Sequence, residues 1–326
     1  MNRFAWVNPG SVEEAVAALG ARAALKAGGV DLMDLLKERL IAPERLVNLR
    51  AIPGLDGIEE RADGLHIGPL ATLARLAEAQ AVRLRYRALA DAAGRAATPQ
   101  IRNVATVGGN LLQRPRCWYF RSEDFLCKKK GGARCFAQDG ENAYHAFLGN
   151  AVCAAVHPSA MAVALLALGG KLRIVGPRGE REAPLEGFFV TPEQDVLREH
   201  ALGPQEIVTE VLVPPPAPGA SSAYLKQGEK ESYDWPLAEV AVLLEREGGR
   251  CRRASIVLGA AAPVPHRARA AEAALAGKAV DEAAARAAAR AAVEGATPLA
   301  DNGYKVTIAE VIVRRTILAA AQGSGT

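Results

Sequence analysis

The chain has 326 residues, half of them hydrophobic, and a formal net charge of +4. That length exceeds one ordinary core and predicts two or three domains. The charge is too mild, and the Lys and Arg too scattered, to make a nucleic-acid-binding surface, and no apolar run reaches the roughly 18 residues of a membrane span.

Met1-Asn2-Arg3-Phe4-Ala5-Trp6 is not followed by the apolar stretch of a signal peptide. The expectation is a cytoplasmic protein, with co-export to the periplasm beside a signal-bearing partner as the other route. Ser11-Val12-Glu13-Glu14 reads as a capping box opening a helix that ends at Gly20, with Val12, Ala15, Val16 and Leu19 on one face. A strand over 24–27 runs into Gly28-Gly29-Val30-Asp31-Leu32, helical spacing follows over 32–40, and a strand lies near 46–49. A strand-to-helix junction with paired glycines lets backbone N–H groups face an anion, although a plain turn has the same signature. Neither G-x-G-x-x-G nor G-x-x-x-x-G-K-[ST] occurs, which disfavours Rossmann and P-loop sites.

Pro53-Gly54-Leu55-Asp56-Gly57 is a linker-like turn. A strand over 65–68 follows, in which His66 reads as a surface residue, then a helix capped by Thr72 and another over 86–97. A second glycine element, Gln100 through Leu111, centres on Thr106-Val107-Gly108-Gly109-Asn110. Two such bends can grip one diphosphate, and Thr106 and Asn110 can add side-chain hydrogen bonds.

Four of the five cysteines come next, at Cys117, Cys127, Cys135 and Cys153, with gaps C-x9-C, C-x7-C and C-x17-C. Four within 37 residues do not resemble a disulfide scaffold. Four thiolates suit a [4Fe–4S] cluster or an all-thiolate zinc site, although the C-x2-C pairs of common structural zinc sites are missing, and free buried thiols are the third reading. Trp118, Tyr119, Phe120, Phe125 and Phe136 lie beside them and can exclude water. Lys128-Lys129-Lys130 reads as a solvated loop tip. His145 and His157 are each a candidate ligand or hydrogen-bond partner, and Cys251 stands apart as a spectator.

A helix over 160–168 is capped by Ser159, and strands are predicted over 171–175 and 206–213. Pro214-Pro215-Pro216 cannot sit inside a sheet and marks a boundary. Beyond it lie strands over 223–226, 237–245 and 252–258, a polar-aromatic turn at Tyr233-Asp234-Trp235-Pro236, and Ala-rich helices over 267–275, 280–293 and 307–321. No acid–base pair is evident in this last third, so no residue is assigned a catalytic role.

Ala27-Gly28-Gly29-Val30-Asp31-Leu32 resembles the first flavin loop of the FAD-binding medium subunits of molybdenum hydroxylases, and Ile101 through Asn110 resembles their second loop. Tyr224-Leu225-Lys226 through Tyr233, and Leu258 through Pro265, are similar to the C-terminal domain of that family. The cysteine-rich insertion resembles the [4Fe–4S]-bearing flavin subunits of aldehyde oxidoreductases more than those of 4-hydroxybenzoyl-CoA reductase.

The resemblance implies an α+β protein. A two-subdomain FAD-binding domain of the PCMH/VAO type would span 1–55 and 56–215, with the insertion at about 113–155, and a CO dehydrogenase flavoprotein-like domain would span 216–326. It implies FAD contacts from Ala27 to Leu32, from Thr106, Gly109 and Asn110, and from Ile207 and Lys226, and cluster ligation by Cys117, Cys127, Cys135 and Cys153. It further implies electron transfer from a [2Fe–2S] small subunit through FAD to an external acceptor. A molybdenum-cofactor large subunit would oxidise an aldehyde or aromatic heterocycle, in a heterotrimer or a dimer of heterotrimers. Two positions depart from the pattern: Val30 replaces a frequent Thr, and Ala160 replaces an Asp that contacts the flavin. A stand-alone flavin oxidase and a zinc-stabilised binding module are the rival readings.

Overall fold

The computed structural model describes residues 1–230 and 233–323. Glu231 and Ser232, inside the Tyr224-to-Tyr233 stretch, and residues 324–326 lie outside the described residues.

The N-terminal sixty residues form a small parallel sheet from β1 (Ala5–Val7), β2 (Ala23–Lys26) and β3 (Arg45–Asn48), with β3 in the middle. Helices Val12–Ala18 and Val30–Lys37 make the two crossovers. Ser11 caps the first helix by accepting from the Glu14 N–H at 3.2 Å. The Glu14 carboxylate accepts from Gly10 N at 2.7 Å, one residue before the position a regular capping box uses. Its arm thus ties down the incoming chain rather than the cap itself.

A five-stranded antiparallel sheet follows, from β4 (Ile58–Arg61), β5 (Gly64–Ile67), β6 (Lys171–Gly176), β7 (Gly179–Pro184) and β8 (Ile207–Val213), in the order β4-β5-β8-β6-β7. Sequence reading missed β7, because Gly179 through Pro184 shows no apolar alternation; it is an edge strand, where exposed polar residues blunt pairing with other chains. His66 is not a surface residue. It is 5% exposed in β5, with Nδ1 at 3.0 Å from Glu210 and Nε2 at 3.0 Å from Asp63, so two carboxylates satisfy the imidazole.

The apolar helix Ala160–Ala167 is buried along its whole length, which explains why it has no polar face. It packs on β10 and β11 of the third sheet, an antiparallel sheet of β9 (Ser221–Gln227), β10 (Ala238–Glu247), β11 (Arg250–Gly259) and β12 (His266–Arg267), and shares one apolar core with β5, β6 and β8. Helices Arg269–Leu275, Glu282–Ala292 and Tyr304–Gln322 cover the other side of that sheet. Their alanines are buried close together, as expected where small side chains let helices approach closely. Cys251 lies in this last core, apart from the other four cysteines. No helix among the described residues is long and apolar enough to cross a membrane.

Candidate cofactor sites

The two glycine bends meet backbone to backbone. A Cβ added to Gly28 would lie 2.2 Å from the Val104 carbonyl oxygen, so only glycine allows the first bend to rest on the second. Gly29 then takes the left-handed conformation at φ 89° and caps Val30–Lys37. The first-turn N–H groups of that helix have no partners within the helix and form a seat for an anion. In the second bend, Thr106 Oγ1 accepts from Gly109 N at 3.1 Å and caps Val107–Leu111. Bonds from Leu73 N to Ala105 O, Val107 N to Ala71 O and Gly108 N to Pro69 O fasten this bend to the 69–73 segment at 2.9–3.0 Å.

Between the bends opens a cavity of about 510 Å³, within the range of small-molecule and cofactor sites. Every residue from Ala27 to Leu32 lines it, with Thr106, Gly109, Asn110, Ile207 and Lys226. The fold therefore gathers residues spread over 200 positions of sequence onto one cavity wall.

Several of these side chains also hold the walls together. Asn110 Oδ1 accepts from Ser159 Oγ at 2.8 Å and from Met161 N at 3.2 Å, which joins the second bend to the buried helix. Asp31 accepts from Arg121 at 2.7 Å, Arg116 at 3.0 Å and Arg114 N at 3.0 Å. Asp31 thus ties the first bend to the cysteine-rich excursion. Lys226 donates to the carbonyls of Asp234 and Arg95, and burial lowers its pKa.

Other cavity residues escaped the sequence reading. Arg114 and Arg116 bring positive charge to the wall, and Trp235 and Tyr233 stand at it as exposed aromatics. Glu239 is 1% exposed on β10, opposite Lys226 in register. Its Oε2 accepts from the Tyr224 hydroxyl, its Oε1 has no partner, and burial pushes the carboxyl up to about 7. No motif announces this buried carboxyl.

The four cysteines of the excursion converge as well. Cys117, Cys127, Cys135 and Cys153 line one void of about 10 Å³, none of them in a disulfide. Three of them sit at N-caps of short helical turns, Trp118–Arg121, Lys128–Lys130 and Phe136–Gln138. Backbone N–H groups of Tyr119 and Phe120 bond the Cys117 sulfur, and those of Ala154, Ala137 and Gln138 bond Cys135. Burial pushes the Cys117 thiol up to about 11. The neighbouring Cys153 thiol holds Cys135 down to about 6, and the same contact, with burial, pushes Cys153 up. Tyr119, Phe125 and Phe136 form an aromatic shell with ring centroids 5.0–6.0 Å apart.

Lys129 is not at a solvated loop tip. It is 6% exposed, lines the void, and donates to Glu199 and the Val196 carbonyl at 3.0 Å. His145 stays with the cysteines, its Nε2 3.2 Å from Cys117 Sγ. His157 does not: it is packed edge-on against Phe189 at 4.7 Å, and burial pushes it down to about 3. Among the described residues no group of three or more His, Cys, Asp or Glu side chains closes on a point that would hold a single metal ion.

The family description "FAD binding domain in molybdopterin dehydrogenase" matches residues 2–216, and "CO dehydrogenase flavoprotein C-terminal domain" matches residues 223–320. The chain belongs to the FAD-binding subunits of the molybdopterin dehydrogenases. The aldehyde oxidoreductase FAD-binding subunit PaoB of Escherichia coli (strain K12) is 36% identical to this flavin subunit over 289 residues, 87% of each chain. The carbon monoxide dehydrogenase medium chain of Hydrogenophaga pseudoflava is 32% identical over 98% of this chain and 97% of the other. A solved structure of carbon monoxide dehydrogenase from that organism, lacking the Mo-pyranopterin moiety of its molybdenum cofactor, superposes with a TM-score of 0.77 at 32% identity, covering 98% of both chains.

The residues present fit FAD. The cavity is large enough for a cofactor, has an anion seat at one helix start, and carries cations and aromatic rings on the same wall. At the two departures, Val30 opens the first-bend helix and Ala160 opens the buried helix, and both line the cavity. The hydroxyl and carboxylate expected there are absent, but the backbone seat remains. The thiol site has the donor chemistry of an iron–sulfur cluster, with four free sulfurs, backbone N–H groups on three of them and aromatic rings around them.

Proposed function

We propose that this flavin subunit holds FAD in the 510 Å³ cavity and a [4Fe–4S] cluster on Cys117, Cys127, Cys135 and Cys153. It would serve as the electron-transfer subunit of a molybdenum-dependent aldehyde oxidoreductase, between a [2Fe–2S] small subunit and an external acceptor. A large subunit with the molybdenum cofactor would complete the heterotrimer. The aldehyde assignment follows the relative from E. coli, which is 36% identical to this chain over 289 residues.

One observation carries the reading. Gln113, Arg114 and Arg116 line the cavity, and the next residue, Cys117, lines the thiol void. Consecutive Cα atoms are about 3.8 Å apart, so the two sites share a wall one residue thick at this point.

FAD couples two-electron to one-electron transfer and an iron–sulfur cube moves single electrons, and both leave the protein to supply binding and electrostatics. The N–H groups after Gly29 and the second glycine bend would hold the diphosphate. Ile207 and Lys226 would line the isoalloxazine end. Asp31 keeps the cavity wall and the cysteine excursion in register through Arg116 and Arg121. Tyr119, Phe125 and Phe136 exclude water from the sulfurs.

The test is an absorption spectrum with iron and flavin assays on the wild type and on Cys135→Ser. The wild type should carry about four irons and one FAD per chain, the stoichiometry of the proposed cofactors. The variant should lose the broad visible absorption and the iron while keeping its flavin. Unchanged iron content in the variant would refute the ligand set, and zinc without iron would favour a structural metal site.

A further inference from the structure

His145 lies within the cysteine excursion, on the 142–148 segment that bonds to Ala261 just past β11, and is 3% exposed. Its Nε2 stands 3.2 Å from Cys117 Sγ, and its ring meets Trp118 edge-on at 4.8 Å. The other ring nitrogen, Nδ1, is buried without a partner. This asymmetry selects a tautomer. With Cys117 as a cluster ligand, a hydrogen on Nδ1 would leave a buried donor unpaired and set the Nε2 lone pair against its thiolate. A hydrogen on Nε2 gives the thiolate a charge-assisted hydrogen bond and leaves only a weak acceptor unpaired.

The backbone that carries the imidazole is anchored mainly from outside the cysteine excursion. His145 O accepts from Lys305 Nζ at 2.9 Å and from Asn302 Nδ2 at 3.1 Å. Lys305 is fully buried and also donates to Tyr144 O at 3.0 Å and Ala260 O at 2.8 Å, so its three protons are all used. Asp301 N donates to Asn142 Oδ1 at 2.9 Å, and His145 N donates to Asn142 O at 2.9 Å. The start of the C-terminal helix thus holds the backbone on both sides of the ring. Burying an amine carries a desolvation cost, which these carbonyl acceptors offset while they fix the backbone on either side of the ring.

We propose that His145 sets the reduction potential of the iron–sulfur site by donating its Nε2–H to Cys117 Sγ, and that Lys305 and Asn302 are the positioning residues that keep it there. The inference rests on the four-cysteine reading above. A hydrogen bond to a ligating sulfur draws negative charge from it, favours the more negative reduced state, and so raises the potential.

The experiment compares the assembled wild-type enzyme with His145→Phe and His145→Gln in redox titrations followed by electron paramagnetic resonance, with iron and flavin measured on each sample. His145→Phe keeps a ring but has no donor. It should hold its full iron and show a midpoint potential shifted to lower values. His145→Gln keeps an N–H and should restore most of the shift, while the flavin potential stays put in both. Full iron with an unchanged potential in His145→Phe would overturn the inference and leave the cluster reading standing. Absence of iron from the wild type would overturn both. If His145→Phe loses iron, the wild type grown with ¹⁵N-histidine decides: pulsed resonance on the reduced cluster should show a weak nitrogen coupling, and its absence would overturn the inference.

Discussion

The flavin cavity and the thiol void share a wall but are built on opposite principles. The cavity is framed by regular elements, with two glycine bends, two helix starts and strand faces holding about 510 Å³ open and side chains such as Arg116 and Trp235 completing the lining. The void is bounded by side chains on an irregular excursion and holds about 10 Å³, the space of one water-sized sphere. Regular elements carry their own hydrogen bonds and keep their shape whatever lies between them. A loop region of single helical turns has little of that support, and its sulfurs fall together. In such a region a metal site contributes directly to folding, whereas in the cavity the fold stands first and the cofactor enters it.

That contrast can be broken from the cavity side with Gly28→Ala. The new Cβ would meet the Val104 carbonyl at 2.2 Å, backbone against backbone, with no side chain free to give way. The two bends should separate, weakening FAD binding by about 3 kcal/mol, or roughly 100-fold. Iron should stay at its wild-type level, because the excursion does not depend on this contact. Equal loss of flavin and iron would show that the two regions fold as one unit.

Asp31→Asn probes the wall itself. It removes the carboxylate shared by Arg116 and Arg121, both mostly buried, and should cost about 2 kcal/mol of stability, since a buried partner is left unpaired while some solvent access remains. Chemical denaturation should register the loss, and both cofactors should be held less tightly. A change confined to flavin would place Asp31 on the cavity side alone.

Glu239→Gln acts through pH dependence and sharpens the picture of the cavity lining. In the folded chain the Glu239 carboxyl is raised from 4.5 to about 7, chiefly by burial. The native state therefore holds this proton more tightly than the unfolded chain does. The carboxyl contributes fully to stability below about 4.5, and the contribution is lost as pH rises to about 7. For one proton the slope cannot exceed about 1.4 kcal/mol per pH unit. Denaturation midpoints measured across that window should fall with pH in the wild type and stay flatter in the variant. Identical slopes would mean that the carboxylate is ionised in the folded chain.

Much of the secondary structure was legible because it is local. Thr72 and Ser159 cap the helices they were expected to cap, with bonds to Arg75 N and Ala162 N, since a cap needs only its own next three residues. The long apolar strands of the third sheet were equally plain, while the polar edge strand β7 had no pattern to read. The cavity residues of the glycine bends were found because glycine is required by backbone geometry that shows in the sequence. Glu239, Arg114 and Arg116 were missed because an isolated charged residue in a strand or loop looks the same whether it faces solvent or a cavity.

The sequence alone determined the kinds of elements, the pair of diglycine bends and the presence of four sulfur donors outside any disulfide pattern. Each of these rests on steric or hydrogen-bonding needs met within a few residues. Only the tertiary structure decided that the bends touch, that Lys129 and His66 are buried rather than solvated, and that Lys305 secures the segment carrying His145 from 160 residues away. Burial and charge pairing depend on what arrives from elsewhere in the chain, and no local pattern encodes that arrival.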